Sequence, residues 1–381
     1  MMNFPWTLVA IVVAIATTQL PAKPSDSSYL PEAISGEGSG SSSEASIKHR
    51  VLDLTLPVQT RYNGQVRELI RRYISIGSKE AEAMLGRTTL YFPMFEHYLS
   101  IHGLPKELKY LPMIESTLRP EVSSPVGAGG LWQVIPSTAR RFGLEVGGYV
   151  DERRDPYRGT EAAVKILAYL HNEFGDWALA MAAYNCGSAR VHRAIKLAKC
   201  DDYWEISKYL PRATQKYVPS FIAAAYLVNH YQHHNLKPKF PSSLMQDTRT
   251  FRVYNHMNFM EISKTCDISL SLLRKLNPGF ALNALPKSTK GHFLVLPAAT
   301  ATAFSKFLAK KTGKINPAEN TLPTGMFRTS YVAVPGDRIE ALAMLFKCSV
   351  EDIMTWNHLN HREIVVGQEL MLLLPKSSLK V

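Results

Sequence analysis

The sequence predicts a mainly α-helical domain followed by two small α+β domains, each with the order β-α-α-β. From about Leu52 to His234, apolar residues recur at three- and four-residue spacing with breaks at Gly and Pro, a pattern typical of amphipathic helices. After Pro238 the pattern changes to short β-like runs that flank helical stretches. This order appears a second time downstream, which indicates an internal repeat.

Two helices of the first domain are predicted in detail. Thr160 is expected to cap one helix, which Gly175 ends. Asp176 is expected to cap the next, which Cys186-Gly187 ends. Both helices carry Ala-rich faces, so we expect them to pack closely against each other.

The two small domains align without a gap when Asn277 is placed on Asn357. Apolar residues then superpose in pairs: Leu270 on Val350, Leu273 on Ile353 and Leu276 on Trp356. The predicted strands are Thr250–Tyr254 and His292–Leu296 in the first copy, and Ser330–Val334 and Glu369–Leu374 in the second.

Composition gives the remaining boundaries. Residues 1–22 hold a short apolar run followed by small residues, which predicts a signal peptide that is too short to span a bilayer. Residues 23–50 are rich in Ser and Gly and predict a disordered tether. The remaining predicted segments are the helical domain at 51–238, the small domains at 249–298 and 329–376, and a linker at 299–328.

The formal net charge of +12 favours an acidic partner, which is a nucleic acid, an anionic membrane surface or an anionic wall polymer. Export of the chain argues against a nucleic acid. The alternative is that Lys and Arg only keep the surface soluble.

Cysteine and histidine patterns do not predict a metal site or a cofactor. The cysteines form no CxxC pair and are too sparse for a disulfide scaffold, although spacing leaves a Cys186–Cys200 bridge open. Three clustered histidines lack the HExxH pattern and are expected on a solvated helix face. The residues concerned are Cys186, Cys200, Cys266, Cys348, His230, His233 and His234.

Glu115 stands where the helical pattern would place an apolar residue, on the side shared by Leu108 and Leu111. Pro112 and Pro120 oppose continuation of the helix, so Glu115 is predicted near a helix end and facing a cleft. A carboxyl group held against apolar neighbours has a raised pKa and can donate a proton near neutral pH. The alternative is an ordinary surface or ion-paired glutamate.

Two later segments carry groups that suit a sugar ligand. Ser123–Gln133 is a turn-rich loop whose three glycines let the backbone approach a ligand closely, and Gln133 offers both a donor and an acceptor. Ala182–Asn185 brings an aromatic hydroxyl and an amide together at a helix end. Trp132 is expected in the core.

These motifs resemble, in their order, the three motifs of the family 23 soluble-type lytic transglycosylases: Glu115-Ser116, Gly130–Gln133 and Ala183–Asn185. The two C-terminal copies resemble LysM domains, so the resemblance covers nearly the whole chain after the tether. Further matching segments are Asp151–Pro156, Phe174–Trp177 and Tyr217–Pro219.

The resemblance implies a lysozyme-like catalytic domain that cleaves peptidoglycan glycan strands without a cofactor, with Glu115 as the single general acid and base. It implies LysM-like domains that bind N-acetylglucosamine-containing glycan. The predicted signal peptide indicates export to the periplasm or cell envelope of a bacterium, where we expect a monomer. The implied substrate-binding residues are Ser116, Ser124, Gln133, Tyr184, Asn185 and Tyr217.

The sequence departs from the family pattern at three places. Ala213-Thr214 stands where the family has Glu-Thr, and Cys186 follows the Tyr-Asn motif. The first LysM-like copy lacks the Pro335–Asp337 motif of the second, and is expected to bind poorly or to act only as a spacer.

Three hypotheses remain after the sequence alone. The first is a lytic transglycosylase, the second a muramidase of the same fold that uses water, and the third a non-catalytic peptidoglycan-binding protein. Asp151 and Asp155, beside Arg153 and Arg154, are predicted to form a structural ion-pair network rather than a second catalytic carboxylate.

Overall fold

A computed structural model of the chain describes residues 14–15, 43–289, 291–312, 326–332, 339–346, 348–357, 359–364 and 368–375. These residues fall into two compact units, one within 24–304 and the other within 305–381 together with 14–15. Within the described residues, no helix is both long and apolar enough to cross a membrane. The predicted signal peptide lies mostly outside the described residues and stays a prediction. The predicted tether at 23–50 is wrong at its end, because residues from Glu44 onward form a helix that buries Ile47 and Val51.

The first unit begins with the helical domain. Its α-helices are α1 (Glu44–Leu52), α2 (Gly64–Arg71), α3 (Ser78–Ile101), α4 (Leu111–Ser116), α5 (Pro136–Arg141), α6 (Pro156–Phe174), α7 (Trp177–Cys186), α8 (Ser188–Ala198), α9 (Tyr203–Ile206), α10 (Arg212–Gln215) and α11 (Tyr217–His230). A π-helical turn spans Arg72–Ile76, and 3-10 turns span Lys106–Tyr110, Ser207–Tyr209 and Tyr231–His234.

Helix α11 is the centre of this domain. Its sequence is apolar on all sides, and every residue from Tyr217 to Val228 except Ser220 is buried. A helix that is apolar all round has to be enclosed, and α2, α4 and α7 pack against it. The start of α11 thereby lies near the last turn of α4 and the last turn of α7.

Capping side chains account for two helix starts. Asp176 accepts a hydrogen bond from the backbone N–H of Leu179 at 2.8 Å, as predicted for the start of α7. The predicted cap of α6 is wrong, because Asp155 caps this helix and Thr160 lies inside it. Proline at position 156 suits the first helical turn, so the helix begins one turn earlier than the apolar pattern indicates.

The first small domain, here the first module, follows α12 (Ser243–Gln246). Strands β2 (Thr248–Val253) and β5 (His292–Pro297) pair antiparallel, as do β3 (Met257–Asn258) and β4 (Ala284–Leu285). Helices α13 (Phe259–Cys266) and α14 (Leu270–Leu276) lie between the strands in sequence, so the predicted β-α-α-β order is confirmed.

Part of the predicted linker is helical. Helix α15 (Ala301–Thr312) occupies the start of residues 299–328, and its Phe304 is fully buried with its ring 4.8 Å from the ring of Phe251. The Lys and Thr residues of this segment predict a linker, and the composition does not indicate that Phe304 is buried.

The second small domain, here the second module, lies in the other unit. Strands β6 (Met326–Val332) and β7 (Glu369–Pro375) pair antiparallel, with α16 (Ile339–Phe346) and α17 (Val350–Asn357) between them in sequence. The short strand β1 (Ala14–Ile15) pairs with β6. The Pro335–Asp337 motif lies outside the described residues.

The two modules share one polar contact that confirms the internal repeat. Asn277 donates from its side-chain amide to the carbonyl oxygens of Leu273 and Val295 and accepts from the N–H of Val295. In the second module, the matching Asn357 makes the same three contacts, with Ile353 and Met371. One asparagine thus ties the second helix of each module to its last strand.

Candidate active site

Glu115 lies in the last turn of α4, as the two prolines predict. The chain then turns sharply, since Thr117 and Leu118 both have left-handed backbone angles, with φ of 52° and 59°. Non-glycine residues rarely adopt this conformation. Arg87 on α3 stabilises the turn by donating from Nε to the carbonyl oxygen of Thr117 at 3.0 Å.

The Glu115 carboxyl group is half-buried, and burial raises its pKa from 4.5 to about 7. The Tyr217 hydroxyl donates a hydrogen bond to Glu115 Oε1, which opposes part of this rise because it stabilises the charged form. Tyr217 is the first residue of α11, so the buried central helix positions this hydroxyl. Near neutral pH the carboxyl group can therefore both donate and accept a proton.

A second tyrosine lies beside this pair. Tyr184 on α7 donates from its hydroxyl to the carbonyl oxygen of Trp132 at 2.7 Å. Burial raises the pKa of Tyr184 and of Tyr217 well above 10, and the negative charge of Glu115 adds to the rise in both. Both phenols therefore stay protonated. Because the charge of Glu115 raises the pKa of both tyrosines, the three side chains form one cluster.

The glycine-rich loop packs against this cluster. Gly130 has a φ of 81°, and a Cβ atom built on it would lie 1.7 Å from the carbonyl oxygen of Arg153, so only glycine fits there. Gln133 has a φ of 48° and donates from Nε2 to the carbonyl oxygens of Gly130 at 2.9 Å and Val122 at 3.0 Å. Its amide group thus also holds the loop in shape.

Ser116 joins the helix end to this loop. It is 4% exposed, and its hydroxyl lies 2.8 Å from the carbonyl oxygen of Leu131 and 3.1 Å from that of Pro112. Trp132 is buried in the core, as predicted, and donates from Nε1 to Thr160 Oγ1 at 2.9 Å. In this arrangement Ser116 supports the loop, and its contact with a glycan stays a prediction.

The remaining candidates lie at the edges of the cluster. Asn185 is exposed, and its Oδ1 accepts from the hydroxyl of Thr214 at 2.8 Å. Ser124 is half-buried and accepts from the N–H of Ala128 at 3.1 Å. Cys186 follows Asn185, and burial raises the pKa of its thiol. All four cysteines are free thiols in the structure, and Cys186 and Cys200 form no bridge in it.

Arg153 supports the glycine-rich part of the loop, 127–134, which is called the active-site loop below, and the sequence pattern does not predict this role. It is 7% exposed and donates to the carbonyl oxygens of Gly127 at 2.6 Å and Val134 at 3.0 Å. These two residues are the ends of the active-site loop. Asp151 binds the same guanidinium group through two hydrogen bonds of 2.8 Å. The cluster of acidic and basic residues at 151–155 predicts an ion-pair network, but it does not predict the contacts of Arg153 with the loop.

The predicted network is confirmed for Asp151, which pairs with both Arg153 and Arg154. Asp155 has another role, because its carboxylate accepts from the N–H groups of Tyr157 and Arg158 at the start of α6. Burial raises the pKa of Asp155 to about 6.

Comparisons with known proteins identify the domain families of the chain. Three domain families match: "Transglycosylase SLT domain" over residues 95–207, "Lytic transglycosylase MltD, LysM-like domain" over 247–313, and "LysM domain" over 331–372. These matches confirm both the family resemblance and the mainly helical, lysozyme-like fold with small LysM-like domains.

Individual relatives extend the comparison along the chain. Membrane-bound lytic murein transglycosylase D of Escherichia coli (strain K12) is 30% identical over 319 residues, which cover 81% of this chain and 68% of the relative. Membrane-bound lytic murein transglycosylase F of Pseudomonas fluorescens (strain Pf0-1) is 28% identical over 178 residues, which cover 40% of this chain and 35% of the relative. The solved 70 kDa soluble lytic transglycosylase of Escherichia coli aligns at 28% identity with a TM-score of 0.32, over 35% of this chain and 23% of that one.

Proposed function

Because the chain belongs to the lytic murein transglycosylases, we propose that it cleaves the β-1,4 bond between N-acetylmuramic acid and N-acetylglucosamine in peptidoglycan, with Glu115 as its only acid and base. The observation that carries this assignment is the half-buried Glu115 carboxyl group, whose pKa of about 7 suits both proton donation and proton acceptance.

In the first step, Glu115 donates its proton to the glycosidic oxygen. The bond from that oxygen to muramic C1 breaks, and the carbonyl oxygen of the substrate's own N-acetyl group bonds to C1. In the second step, the Glu115 carboxylate takes the proton of the muramic C6 hydroxyl, O6 bonds to C1 and the N-acetyl oxygen leaves. The product end is 1,6-anhydro-N-acetylmuramic acid, and Glu115 is protonated again.

This route uses one carboxyl group, whereas most glycosidases use two. Within the described residues, no other carboxyl group contributes to the raised pKa of Glu115. Tyr217 keeps the carboxyl oxygen in place during both steps. Tyr184, Gln133, Asn185 and Ser124 line the proposed glycan groove, with Ser116 beneath them.

The proposal extends to the rest of the chain. Residues 1–22 direct export to the periplasm or cell envelope, where the substrate is found, and the chain acts there as a monomer. The LysM-like modules bind N-acetylglucosamine-containing glycan, and the excess of Lys and Arg favours the anionic wall.

The experiment is a comparison of Glu115→Gln with Glu121→Gln, both purified and given insoluble peptidoglycan sacculi. Glu121 is an exposed glutamate in the turn that follows α4, which makes it a matched control. Loss of the proton-transferring group is expected to slow the release of soluble fragments by at least about 100-fold, while Glu121→Gln keeps the wild-type rate. Wild-type activity in Glu115→Gln would remove the assignment, and an inactive wild-type protein would favour a binding role.

A further inference from the structure

The connection between the helical domain and the first module is tied to α3. The backbone N–H of Lys237 donates to Glu82 Oε1 at 2.8 Å, and the N–H of Lys239 donates to the Glu82 carbonyl oxygen at 2.9 Å. Helix α12 then packs beside α3. The chain therefore enters the first module from a held position, in contrast to a free linker.

A backbone pairing then joins the module to the helical domain. The N–H of Asp151 donates to the carbonyl oxygen of Gly279 at 2.9 Å, and the N–H of Ala281 donates to that of Tyr149 at 3.1 Å. Val150 and Phe280 face each other in this antiparallel bridge, and are 2% and 9% exposed. Gly279 and Phe280 are buried, so the hydrogen bond between Asp151 and Gly279 is costly to break.

Gly279 lies against the backbone of the helical domain within this bridge. A Cβ atom built on it would lie 3.1 Å from the carbonyl oxygen of Asp151 and 3.6 Å from the nitrogen of Asp155. A Cβ atom at this position is therefore in tight contact, and the backbone of Asp151 would have to shift by a few tenths of an ångström to admit it. A side chain as large as tryptophan is expected to strain the contact further.

Side chains form a second contact between the same two parts. Thr250 Oγ1 lies 3.4 Å from the hydroxyl of Tyr157, and the Tyr157 ring lies 6.4 Å from the ring of Phe293. A small cavity between the parts is lined by both, with Asp155 and Arg158 on one side and His292 on the other. The contact thus extends from the bridge to strands β2 and β5.

The segment that the module holds is the one that supports the active-site loop. Asp151 binds the module through its N–H and binds Arg153 through its carboxylate. Arg153 in turn holds the carbonyl oxygens of Gly127 and Val134, at the two ends of the loop that carries Gln133. A series of hydrogen bonds therefore runs from Gly279 through Asp151 and Arg153 to the backbone of the active-site loop.

We propose that the first module is docked on the helical domain and that its Gly279–Ala281 edge is a positioning element for the active-site loop, acting through Asp151 and Arg153. This assigns the module a role other than that of a weak glycan binder or a spacer. The docking depends on geometry alone, whereas the effect on turnover rests on the proposed function.

Hydrogen–deuterium exchange of the full chain tests the docking without reference to activity. The amides of Asp151 and Ala281 both donate across the contact, so they are expected to exchange at least about 100-fold more slowly than exposed loop amides. Fast exchange at both positions would show that the module is not docked and would overturn the proposal. This result would leave the assignment of Glu115 untouched.

Gly279→Trp tests the positioning role, with Gly64→Trp as the matched control, because Gly64 faces open space at the start of α2. Gly279→Trp is expected to remove the protection of the Asp151 amide and to lower kcat by about three- to tenfold, with KM changed less than twofold. Loss of glycan binding would raise KM instead. An unchanged kcat after loss of protection, or a change in KM alone, would overturn the positioning role.

The route is tested by combining Gly279→Trp with Arg153→Lys. If the module acts through Arg153, the tryptophan substitution lowers kcat by less than about twofold in the Arg153→Lys background, since the connection is already broken. Independent effects that multiply would show that the route does not pass through Arg153. If Gly279→Trp unfolds the module, docking is lost as well, and the expected change in kcat is the same.

Discussion

The hydroxyl of Tyr217 donates a hydrogen bond to Oε1 of Glu115, across 102 positions of sequence. Burial raises the pKa of this carboxyl group to about 7, and the hydrogen bond from Tyr217 lowers it. The two influences have opposite signs and can be separated by substitution. They set the pH at which the proposed acid and base works.

Tyr217→Phe is expected to raise the pKa of Glu115, because the hydrogen bond that stabilises the carboxylate is removed. Proton donation requires the protonated form, so kcat/KM falls as pH rises through this pKa. The alkaline limb of the pH profile should therefore move up by about 0.5–1 pH unit in the variant, with a lower maximum. Tyr110→Phe is the control, since its hydroxyl contacts Asn229 near the other end of α11. An unmoved limb in Tyr217→Phe would contradict this account.

Glu115→Gln is expected to stabilise the fold at alkaline pH. The folded-state pKa of about 7 exceeds the ordinary value of 4.5, so between these values the folded chain binds more protons than the unfolded chain. The free energy of unfolding of the wild type therefore decreases as pH rises from about 4.5 to about 7. In Glu115→Gln this decrease is absent, because glutamine does not titrate. Urea unfolding should show Glu115→Gln more stable than the wild type by roughly 1–3 kcal/mol at about pH 8, with little difference at about pH 4.5. An equal difference at both pH values would contradict the raised pKa.

Arg153→Lys is expected to lower the free energy of unfolding by about 2–4 kcal/mol, because lysine cannot reproduce the planar contacts with Asp151 and both ends of the loop. Arg154→Lys is the matched control, since Arg154 is a neighbouring arginine that is about one-third exposed. The control should lose less than about 1 kcal/mol. Similar losses in thermal or urea unfolding would show that Arg153 does not hold the loop.

Asn357→Ala is expected to destabilise the second module by about 2–4 kcal/mol, since it leaves the backbone groups of Ile353 and Met371 without their partner. Sedimentation with insoluble peptidoglycan should then show weaker binding, while turnover of short soluble glycan fragments stays at the wild-type rate. Asn360→Ala is the control, because Asn360 lies in the turn that follows α17. Unchanged sedimentation of Asn357→Ala would argue against glycan binding by this module.

The sequence predicts the helical domain and the two modules because their apolar periodicities are strong and the modules repeat. Asn277 and Asn357 illustrate this, since the alignment that superposes them is matched in the structure by the same three contacts in each module. Helix α15 is missed, because the Lys and Thr residues spaced along it interrupt the apolar pattern around the buried Phe304.

For the site, local motifs predict where Glu115, Gln133 and Tyr184 lie but not how they are held. The contact of Tyr217 with Glu115 and the loop ends held by Arg153 join distant segments, and no local pattern encodes such pairs. Ser116 shows the reverse case. Its motif predicts a ligand contact, whereas its hydroxyl faces backbone carbonyl oxygens in the structure.

The most direct test of the proposed reaction is mass spectrometry of the soluble products that the purified protein releases from peptidoglycan sacculi. Transfer to the muramic C6 hydroxyl predicts fragments that end in 1,6-anhydro-N-acetylmuramic acid, absent when Glu115→Gln replaces the wild type. Fragments with reducing N-acetylmuramic acid ends would contradict the account and identify a muramidase that uses water.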